Sequence, residues 1–411
     1  MFRFLALIAC LTLLSTAPAH ARTEGGDPLW QDEFGVVEMS ASDGLVAAVG
    51  TIINPNGGAT SVVRVYDADK KGLLWQEAVA ADSVILDGDR VVVAGGTSVR
   101  AYDAKKGRLQ WSDVAPFAIS QLYRDEDTTI ATAVTAAGTL RVRVYDTKRG
   151  TVLVRDQALP LQGATAFAAG KMFIANSVRV PFEGFSVALC RVTAYSLATG
   201  AQLWITIQPF PAPVPTTSRC NVFTVTADQK RVILGGAGHF GDEFMAQAYD
   251  AKTGAFLWEH LSFIGNCCID AVVAIDIERR LVFVAGWTRN IFYETIDQDF
   301  VIRALHADTG ALQWEGRTPG LACPAPPVHC QVHAKLVLAD SGTVYGAGFQ
   351  GEDGRSKPGT GFLRAYDASS GRFLWEQPVD VEAIAATRGT VLVLTPGTNA
   401  DDVILRAYDG K

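Results

Sequence analysis

A short segment recurs along the chain, and in nearly every copy it ends in tryptophan. One copy reads VRAYDAKKGRLQW and ends at Trp111, and another reads AQAYDAKTGAFLW and ends at Trp258. Self-similarity at a fixed spacing is typical of repeat architectures, in which each copy supplies one supersecondary unit to a common core. The copies that reach the end of the segment stop at Trp75, Trp111, Val154, Trp204, Trp258, Trp314 and Trp375, and a last copy, LRAYDGK, stops at Lys411.

Each copy predicts two strands joined by a tight turn. The V-R-A-Y part alternates and is rich in β-formers, which favours a strand. In the D-A-K-T-G part, the aspartate can accept hydrogen bonds from backbone amides ahead of it, and the glycine can adopt a positive φ. The residues that lead to the tryptophan predict a second strand. Two more strands lie between copies, for example over residues 271–275 and 281–286.

Four strands per unit and eight units predict an all-β chain that forms a single eight-bladed β-propeller over residues 22–411. A blade cannot bury both of its faces alone, so the ring must close on itself. The last copy has its first strand and turn but no tryptophan strand, whereas residues 27–31 supply a tryptophan strand around Trp30 without a preceding turn. We therefore expect the N- and C-terminal strands to share one blade, which removes the open edges of the ring.

The first residues are typical of a secretory signal peptide over residues 1–21. Arg3 precedes an apolar run over residues 4–14, and the triplet Ala19-His20-Ala21 predicts cleavage after Ala21. The expected location is therefore secreted or periplasmic. An alternative interpretation treats residues 7–10 as a lipoprotein box that would anchor the chain through Cys10. No later segment reaches the ~18 consecutive apolar residues of a transmembrane helix.

Composition excludes two further classes of protein. Charged residues make up 19% of the chain and hydrophobic residues 48%, which excludes a disordered chain because such chains are charge-rich and apolar-poor. The formal net charge is −7, so binding of nucleic acid through phosphate neutralisation is not expected. The sequence also shows no nucleophile elbow, no P-loop and no dinucleotide-binding glycine motif after a strand.

The pattern A-Y-D-A-x-T-G-x-x-x-W resembles the tryptophan-docking repeat of the dehydrogenases that use pyrroloquinoline quinone (PQQ). It is also similar to the repeat of the BamB-like outer-membrane assembly lipoproteins, which share the eight-bladed form without enzymatic activity. The resemblance covers nearly all of the chain after the predicted signal peptide. It implies the fold directly, but it leaves the function open, because the repeated residues are those that hold blades together.

An arginine stands two residues before most of the tyrosine positions of the repeat. We interpret these arginines as structural, each paired with a carboxylate or a carbonyl between blades, because a buried charge needs a partner. A ring of arginines that binds a ligand is the alternative. The set is Arg64, Arg100, Arg143, Arg303, Arg364 and Arg406.

Six cysteines remain after the predicted cleavage, and all of them lie in the half of the chain where the tryptophans are more widely spaced. The signal peptide makes disulfides permissible, although the sequence alone cannot choose the pairing. Cys190 with Cys220 is a plausible pair, because both belong to one expected face. Cys323 with Cys330 would close the proline-rich loop CPAPPVHC.

Cys267 and Cys268 are adjacent in a connector between blades. They resemble the vicinal disulfide of PQQ methanol dehydrogenases, which lies beside the cofactor, and the resemblance implies a bond between them. The alternative is that each pairs elsewhere, because the Cα atoms of neighbouring residues are closer together than disulfides prefer. Trp287, outside the repeat register, is a further candidate for contact with a cofactor, or else a packed loop anchor.

Two groups of side chains have ligand types that suit metals. His329 and His333 with Cys323 and Cys330 could hold zinc, but a disulfide takes such cysteines first in an oxidising compartment. The second group lies in loops between the second and third strands of the last four blades, which open on one face and could hold calcium or attract a basic partner. The alternative is a set of solvated loops. Its members are Asp242, Glu243, Asp297, Asp299, Glu352, Asp353, Asp401 and Asp402.

These patterns predict an exported, non-catalytic propeller that acts as a protein-interaction or assembly scaffold through its long-loop face. The expected partner is another exported or envelope protein, the ring is expected to be monomeric, and no cofactor is expected. The alternative, implied by the resemblance, is a PQQ- and calcium-dependent dehydrogenase that oxidises an alcohol or a sugar. The calcium ligands, the catalytic aspartate and the cofactor-stacking tryptophan of those enzymes find no match at positions of this sequence.

Overall fold

The computed structural model describes residues 27–54, 56–69, 72–182, 185–208, 220–237, 243–263, 272–276, 279–289, 298–319, 330–352, 361–397 and 403–410. The predicted signal peptide lies outside these ranges. Within them the chain forms 32 β-strands, and no helix there is long and apolar enough to cross a membrane.

The strands form eight antiparallel sheets of four strands, and each sheet is one blade. The strands of blades 1 to 4 are β2 (Gly35–Ser42), β3 (Leu45–Ile53), β4 (Ala59–Asp67), β5 (Gly72–Ala78); β6 (Ser83–Asp87), β7 (Arg90–Gly95), β8 (Ser98–Asp103), β9 (Leu109–Val114); β10 (Gln121–Asp125), β11 (Thr128–Val134), β12 (Thr139–Asp146), β13 (Val152–Pro160); and β14 (Ala164–Ala168), β15 (Lys171–Phe182), β16 (Phe185–Ser196), β17 (Gln202–Ile207).

Blades 5 to 7 continue the same order along the chain, and blade 8 combines both ends of it. Their strands are β18 (Asn221–Ala227), β19 (Arg231–Ala237), β20 (Glu243–Asp250), β21 (Phe256–Phe263); β22 (Val272–Asp276), β23 (Leu281–Arg289), β24 (Gln298–His306), β25 (Leu312–Pro319); β26 (Cys330–Asp340), β27 (Thr343–Glu352), β28 (Gly361–Asp367), β29 (Phe373–Gln377); and β30 (Ala383–Thr387), β31 (Thr390–Pro396), β32 (Val403–Asp409), β1 (Trp30–Glu33).

The ring closes as the sequence predicts. The first strand of each sheet contacts the first strands of the two neighbouring sheets, and this chain of contacts runs through all eight blades and back from β30 to β2. In blade 8, β1 pairs antiparallel with β32, and Trp30 lies opposite Ala407. The two ends of the chain therefore share one sheet, so the ring is held closed by backbone hydrogen bonds within that blade.

Five of the repeat tryptophans, Trp75, Trp111, Trp204, Trp258 and Trp314, pack against the turn glycine of the next blade. The indole Nε1 of Trp111 in blade 2 donates to the carbonyl of Thr147 in blade 3 at 2.9 Å, and Trp75 makes the same bond to Ala104 at 2.8 Å. Trp258 and Trp314 do likewise across later seams. The tryptophans therefore join neighbouring blades, which confirms that they mark the repeat of the fold.

The turn glycine carries two requirements at once. Gly150 has a φ of +68°, and a Cβ placed on it would lie 2.5 Å from the indole Cδ2 of Trp111. The left-handed backbone favours glycine, and the bare Cα also lets the indole of the preceding blade lie flat on the turn. The aspartate-to-glycine segment of the repeat therefore forms the turn and also provides the surface on which the indole of the preceding blade packs.

Blade 3 is the exception, because Val154 takes the tryptophan position. A β-bulge after Val154 places Asp156 at a φ of +53°. The next residue, Gln157, then covers the turn of blade 4, since a Cβ on Gly200 would overlap its side-chain amide. The seam between blades 3 and 4 therefore closes on a polar side chain instead of an indole.

Candidate functional site: the long-loop face

The two faces of the ring differ in their connections. Within each blade, the turns from first to second strand and from third to fourth strand lie on one face, which we call the turn face. The remaining connections lie on the opposite face, which we call the loop face. Between the second and third strands, blade 2 needs only residues 96–97, whereas blades 6 and 7 use residues 290–297 and 353–360. The prediction of longer loops in the second half of the chain is confirmed.

Blade 4 extends furthest into the loop face among the described strands. Its second and third strands, β15 and β16, have 12 residues each, whereas β7 and β8 of blade 2 have 6. The first strand, β14, pairs with β15 only up to Ala175, and the fourth strand, β17, reaches only Arg191. Beyond these points β15 and β16 pair with each other alone, so the hairpin projects from the ring.

A disulfide fixes the base of this hairpin. Cys190 of β16 is bonded to Cys220, which directly precedes blade 5, with the Cα atoms 5.3 Å apart. Both cysteines are buried, and the Ser177 hydroxyl of β15 donates to the carbonyl of Cys220. The expected pair is therefore present, although Cys190 lies in the middle of β16 and does not begin a strand. The bond clamps blade 4 to blade 5 on the loop face.

The other predicted cysteine sites are only partly within the described residues. Cys267, Cys268 and Cys323 lie outside them, and of Cys330 the structure describes only the backbone, at the first position of β26. Trp287 lies in β23 opposite Phe300 of β24, and only its backbone is described. The pairing of these cysteines and the contact of Trp287 with a cofactor stay predictions, as does zinc binding with His329 and His333.

The acidic loops are described only at their strand ends. Glu243 begins β20, Asp299 is the second residue of β24 and Glu352 ends β27, so their backbones lie at the loop-face ends of three consecutive blades. The remaining acids, Asp242, Asp297, Asp353, Asp401 and Asp402, lie outside the described residues. In the described ranges, no group of three or more histidine, cysteine or acidic side chains could hold a metal ion. Calcium binding stays a prediction.

Four of the six repeat arginines form ion pairs with acids. Arg64 of blade 1 pairs with Asp32 of blade 8 at 2.9 Å, and Arg143 of blade 3 pairs with Asp113 of blade 2 at 3.1 Å. Both bonds cross a seam, as expected. Arg303 and Arg364 differ, because they pair with Glu315 and Glu376 on the outer strand of their own blade. For these two arginines the expectation is a partner between blades. The structure shows an ion pair within the blade, because the register places the acid of the fourth strand opposite the arginine of the third.

The same seam acids hold tyrosine hydroxyls. The hydroxyl of Tyr66 donates to Asp32 at 2.6 Å, and that of Tyr145 donates to Asp113 at 3.1 Å. Burial raises the pKa of both phenols, and the neighbouring carboxylate raises it further. Arginine, tyrosine and acid thus form one polar group at each of these two seams, and the group joins neighbouring blades.

Tryptophan-docked blades, a ring closed by both ends of the chain and one elaborated face define a β-propeller of the tryptophan-docking class. The family model described as outer membrane protein assembly factor BamB matches residues 18–166 and 298–411, and the chain belongs to that family. The part between these ranges contains the blade 4 hairpin and the disulfide. No curated protein matches the sequence.

Three solved structures are similar to the chain at low sequence identity. Sqt1 from Saccharomyces cerevisiae is 11% identical, with a TM-score of 0.51, and the match covers 93% of this chain and 99% of that one. BamB from Moraxella catarrhalis is 12% identical with a TM-score of 0.47 and covers 93% and 97%. A chain of the Mitotic Checkpoint Complex is 12% identical with a TM-score of 0.44 and covers 100% and 98%.

Sequence reasoning missed two features of this region. The length of the β15–β16 hairpin depends on where β14 and β17 stop pairing with it, which the sequence alone does not state. The repeat alignment carried a signal for the second feature, at the position after the tryptophan. That position is polar in seven blades and is isoleucine, Ile205, in blade 4.

Proposed function

We propose that this protein is an exported, non-catalytic scaffold that binds another envelope protein through the loop face of blades 4 to 7. The observation that carries the proposal is the projecting β15–β16 hairpin, clamped to blade 5 by the Cys190–Cys220 disulfide. Loops on a rigid scaffold are the usual place for binding. A disulfide also suits the oxidising compartment to which the predicted signal peptide would lead.

The family supports the class of partner. The family is that of an outer membrane protein assembly factor, so the proposed partner is a component that assembles or holds proteins in the envelope. The family model matches the blades on either side of residues 167–297 and not this stretch itself. We assign the choice of partner to the hairpin and loops of this stretch, because its repeat residues, like those of the other blades, are used to close the ring.

Site-specific photocrosslinking in the native cell envelope tests this proposal. A photoreactive residue replaces the exposed Arg179 on the hairpin, and the matched control replaces the exposed Lys106 on the turn face of blade 2. We expect one reproducible crosslinked partner from position 179 and none from position 106. Crosslinks from position 106 alone, or the same products from both positions, would contradict a loop-face site.

The quinoprotein alternative has its own test. Purified protein is titrated with PQQ and calcium by calorimetry and then assayed for dye reduction with alcohols and sugars. The scaffold proposal predicts no stoichiometric binding and no turnover. Tight binding together with turnover would replace the proposal by the dehydrogenase alternative.

A further inference from the structure

The outermost strand of blade 4, β17, has an apolar stripe at an open sheet edge. Leu203, Ile205 and Ile207 are 48%, 49% and 44% exposed, and they alternate along the strand so that all three share one face. The sheet order ends at β17, so in the described part of the chain nothing pairs with its outer edge. Exposed apolar edge strands are a hazard for aggregation that proteins normally blunt with charges.

The other blades show that Ile205 departs from the repeat, whereas exposed leucines at the position of Leu203 also occur at Leu74 and Leu257. The residue after the tryptophan position normally forms a polar pair across to the third strand, as Gln76 does with Arg64 at 2.8 Å and Glu376 with Arg364 at 2.6 Å. In blade 4 the same cross-strand pair is Thr193 with Ile205. The polar residues at this position in the other blades are Gln31, Gln76, Ser112, Arg155, Glu259, Glu315 and Glu376.

The backbone of β17 offers hydrogen bonds along the same stripe. The amide of Gln208 donates inward to the carbonyl of Cys190 at 2.8 Å. Because inward and outward groups alternate along an antiparallel strand, the amides and carbonyls of Ile205 and Ile207 point to the open edge. Ile205 and Ile207 therefore provide both outward-pointing backbone groups and exposed apolar side chains, and this combination can bind an added strand.

A second copy of the chain does not suit this edge. The exposed surface of these three residues is small, since each is less than half exposed, and it falls far below the roughly 800 Å² per partner of a stable protein interface. Each copy also carries a net charge of −7, so two copies repel each other. A short extended segment of another polypeptide, with apolar side chains at alternate positions and no acidic residues, matches both the area and the charge.

We propose that β17 binds such a segment as a fifth strand of blade 4. The stripe runs along the outer edge of blade 4 and is not part of the projecting hairpin, so the inference does not rest on the proposed function. The strand also lies within residues 167–297, the stretch that the family model does not match. Binding of a single short strand is expected to be weak on its own and to add to contacts elsewhere on the partner.

Hydrogen–deuterium exchange of the full chain, with and without a synthetic alternating valine–threonine octapeptide ending in lysines, tests the inference. We expect slower exchange of the β17 amides and no change in β5 or β9. A peptide methylated at alternate backbone nitrogens should give no protection, because one edge has lost its donors. Absence of protection in β17, or equal protection of β5, would overturn the inference.

Matched substitutions distinguish peptide binding at the stripe of β17 from nonspecific binding. Ile205→Glu should weaken peptide binding on the order of tenfold or more, because it sets a charge against apolar side chains. Gln76→Glu, the same position in blade 1, should leave binding unchanged. Ile205→Thr keeps a β-branched residue and should weaken binding less. Equal affinity of the peptide for Ile205→Glu and for the parent protein would overturn the inference. A dimer of the parent protein that dissociates in Ile205→Glu would also overturn it, because a second copy would then occupy the edge.

Discussion

The seam between blades 2 and 3 and the seam between blades 3 and 4 solve one packing problem in two ways. At the first, Trp111 lies on the bare Cα of Gly150 and donates to the carbonyl of Thr147. At the second, Val154 is too small to reach, and a bulge turns Gln157 over Gly200 instead. The comparison shows that the repeat residues pack the seams between blades. Where the repeat residue is missing, a different residue packs the seam instead.

The acid two residues after the tryptophan position also behaves differently at the two seams. Asp113 of blade 2 reaches across the seam to Arg143 and Tyr145 of blade 3. Asp156 of blade 3 does not cross its seam, since the bulge directs it back to Arg143 of its own blade at 2.9 Å. Blade 4 therefore receives no acid at this position of the seam, although Asp125 of blade 3 accepts hydrogen bonds from the amides of Ala169 and Gly170 in the first turn of blade 4. The third strand of blade 4 has Thr193 where Arg143 stands in blade 3. Its outer rim is free to be apolar.

Loss of an indole should give the largest difference between the seams. Trp111→Ala removes the hydrogen bond and the packing on blade 3, so it should lower the free energy of unfolding by about 3–5 kcal/mol. Val154→Ala removes a smaller, half-buried side chain and should cost about 1 kcal/mol. Urea unfolding followed by tryptophan fluorescence and circular dichroism measures both. Equal losses would show that tryptophan docking does not hold the ring.

A methyl group on the turn glycine isolates the docking contact. Gly150 and Gly170 both have a φ of +68°, but a Cβ on Gly150 meets the Trp111 indole, whereas within 4 Å of a Cβ on Gly170 there is nothing. Alanine should cost about 1–2 kcal/mol at either site from backbone strain, and about 1–3 kcal/mol more at position 150 from overpacking. Matching urea midpoints for Gly150→Ala and Gly170→Ala would exclude the indole contact as a source of stability.

Much of the ring was readable from the repeat, because strand alternation, turn chemistry and tryptophan spacing all act locally. The composite blade followed from the half-copies at the two ends. The partners of Arg303 and Arg364 were missed because register, not spacing, decides which acid lies opposite an arginine. The length of the hairpin depends on where neighbouring strands stop pairing, and no local pattern states that. The apolar edge of β17 did have a local signal, Ile205 at a position that is polar in the other blades.

A third seam, between blades 5 and 6, should respond to acid. His260 stands where Asp113 stands in blade 2, and burial lowers its pKa, with a further decrease from Arg303. A histidine whose pKa is lower in the folded state binds more protons when unfolded. Stability is therefore expected to be full above about pH 6.5 and to fall as the pH drops through the folded pKa. His260→Gln should flatten the melting temperature between pH 7.5 and pH 5.5, and an unchanged profile would contradict this assignment.

The smallest effect is expected at an exposed turn of blade 7. Hydrogen bonds from Ser369 and Ser370 lower the pKa of Asp367 to about 2, from an ordinary value of 3.8. An acid with a lowered folded pKa stabilises above its unfolded pKa, and the effect is lost as the pH falls through the folded value. Asp367→Asn should remove this part of the acid sensitivity between about pH 4 and pH 2. Urea midpoints measured across this pH range test this contribution of Asp367. Parallel plots of urea midpoint against pH for the parent and the variant would rule the contribution out.

The crosslink yield at position 179 tests most directly the division between residues that close the ring and residues that select a partner. It is measured in the parent, in Gly150→Ala and in a Cys190→Ala/Cys220→Ala variant, each normalised to folded protein. The expected result is a yield unchanged by Gly150→Ala, which weakens a seam far from the hairpin, and reduced by loss of the disulfide, which releases the hairpin base. An equal fall in both variants, or no fall in the disulfide variant, would contradict that division.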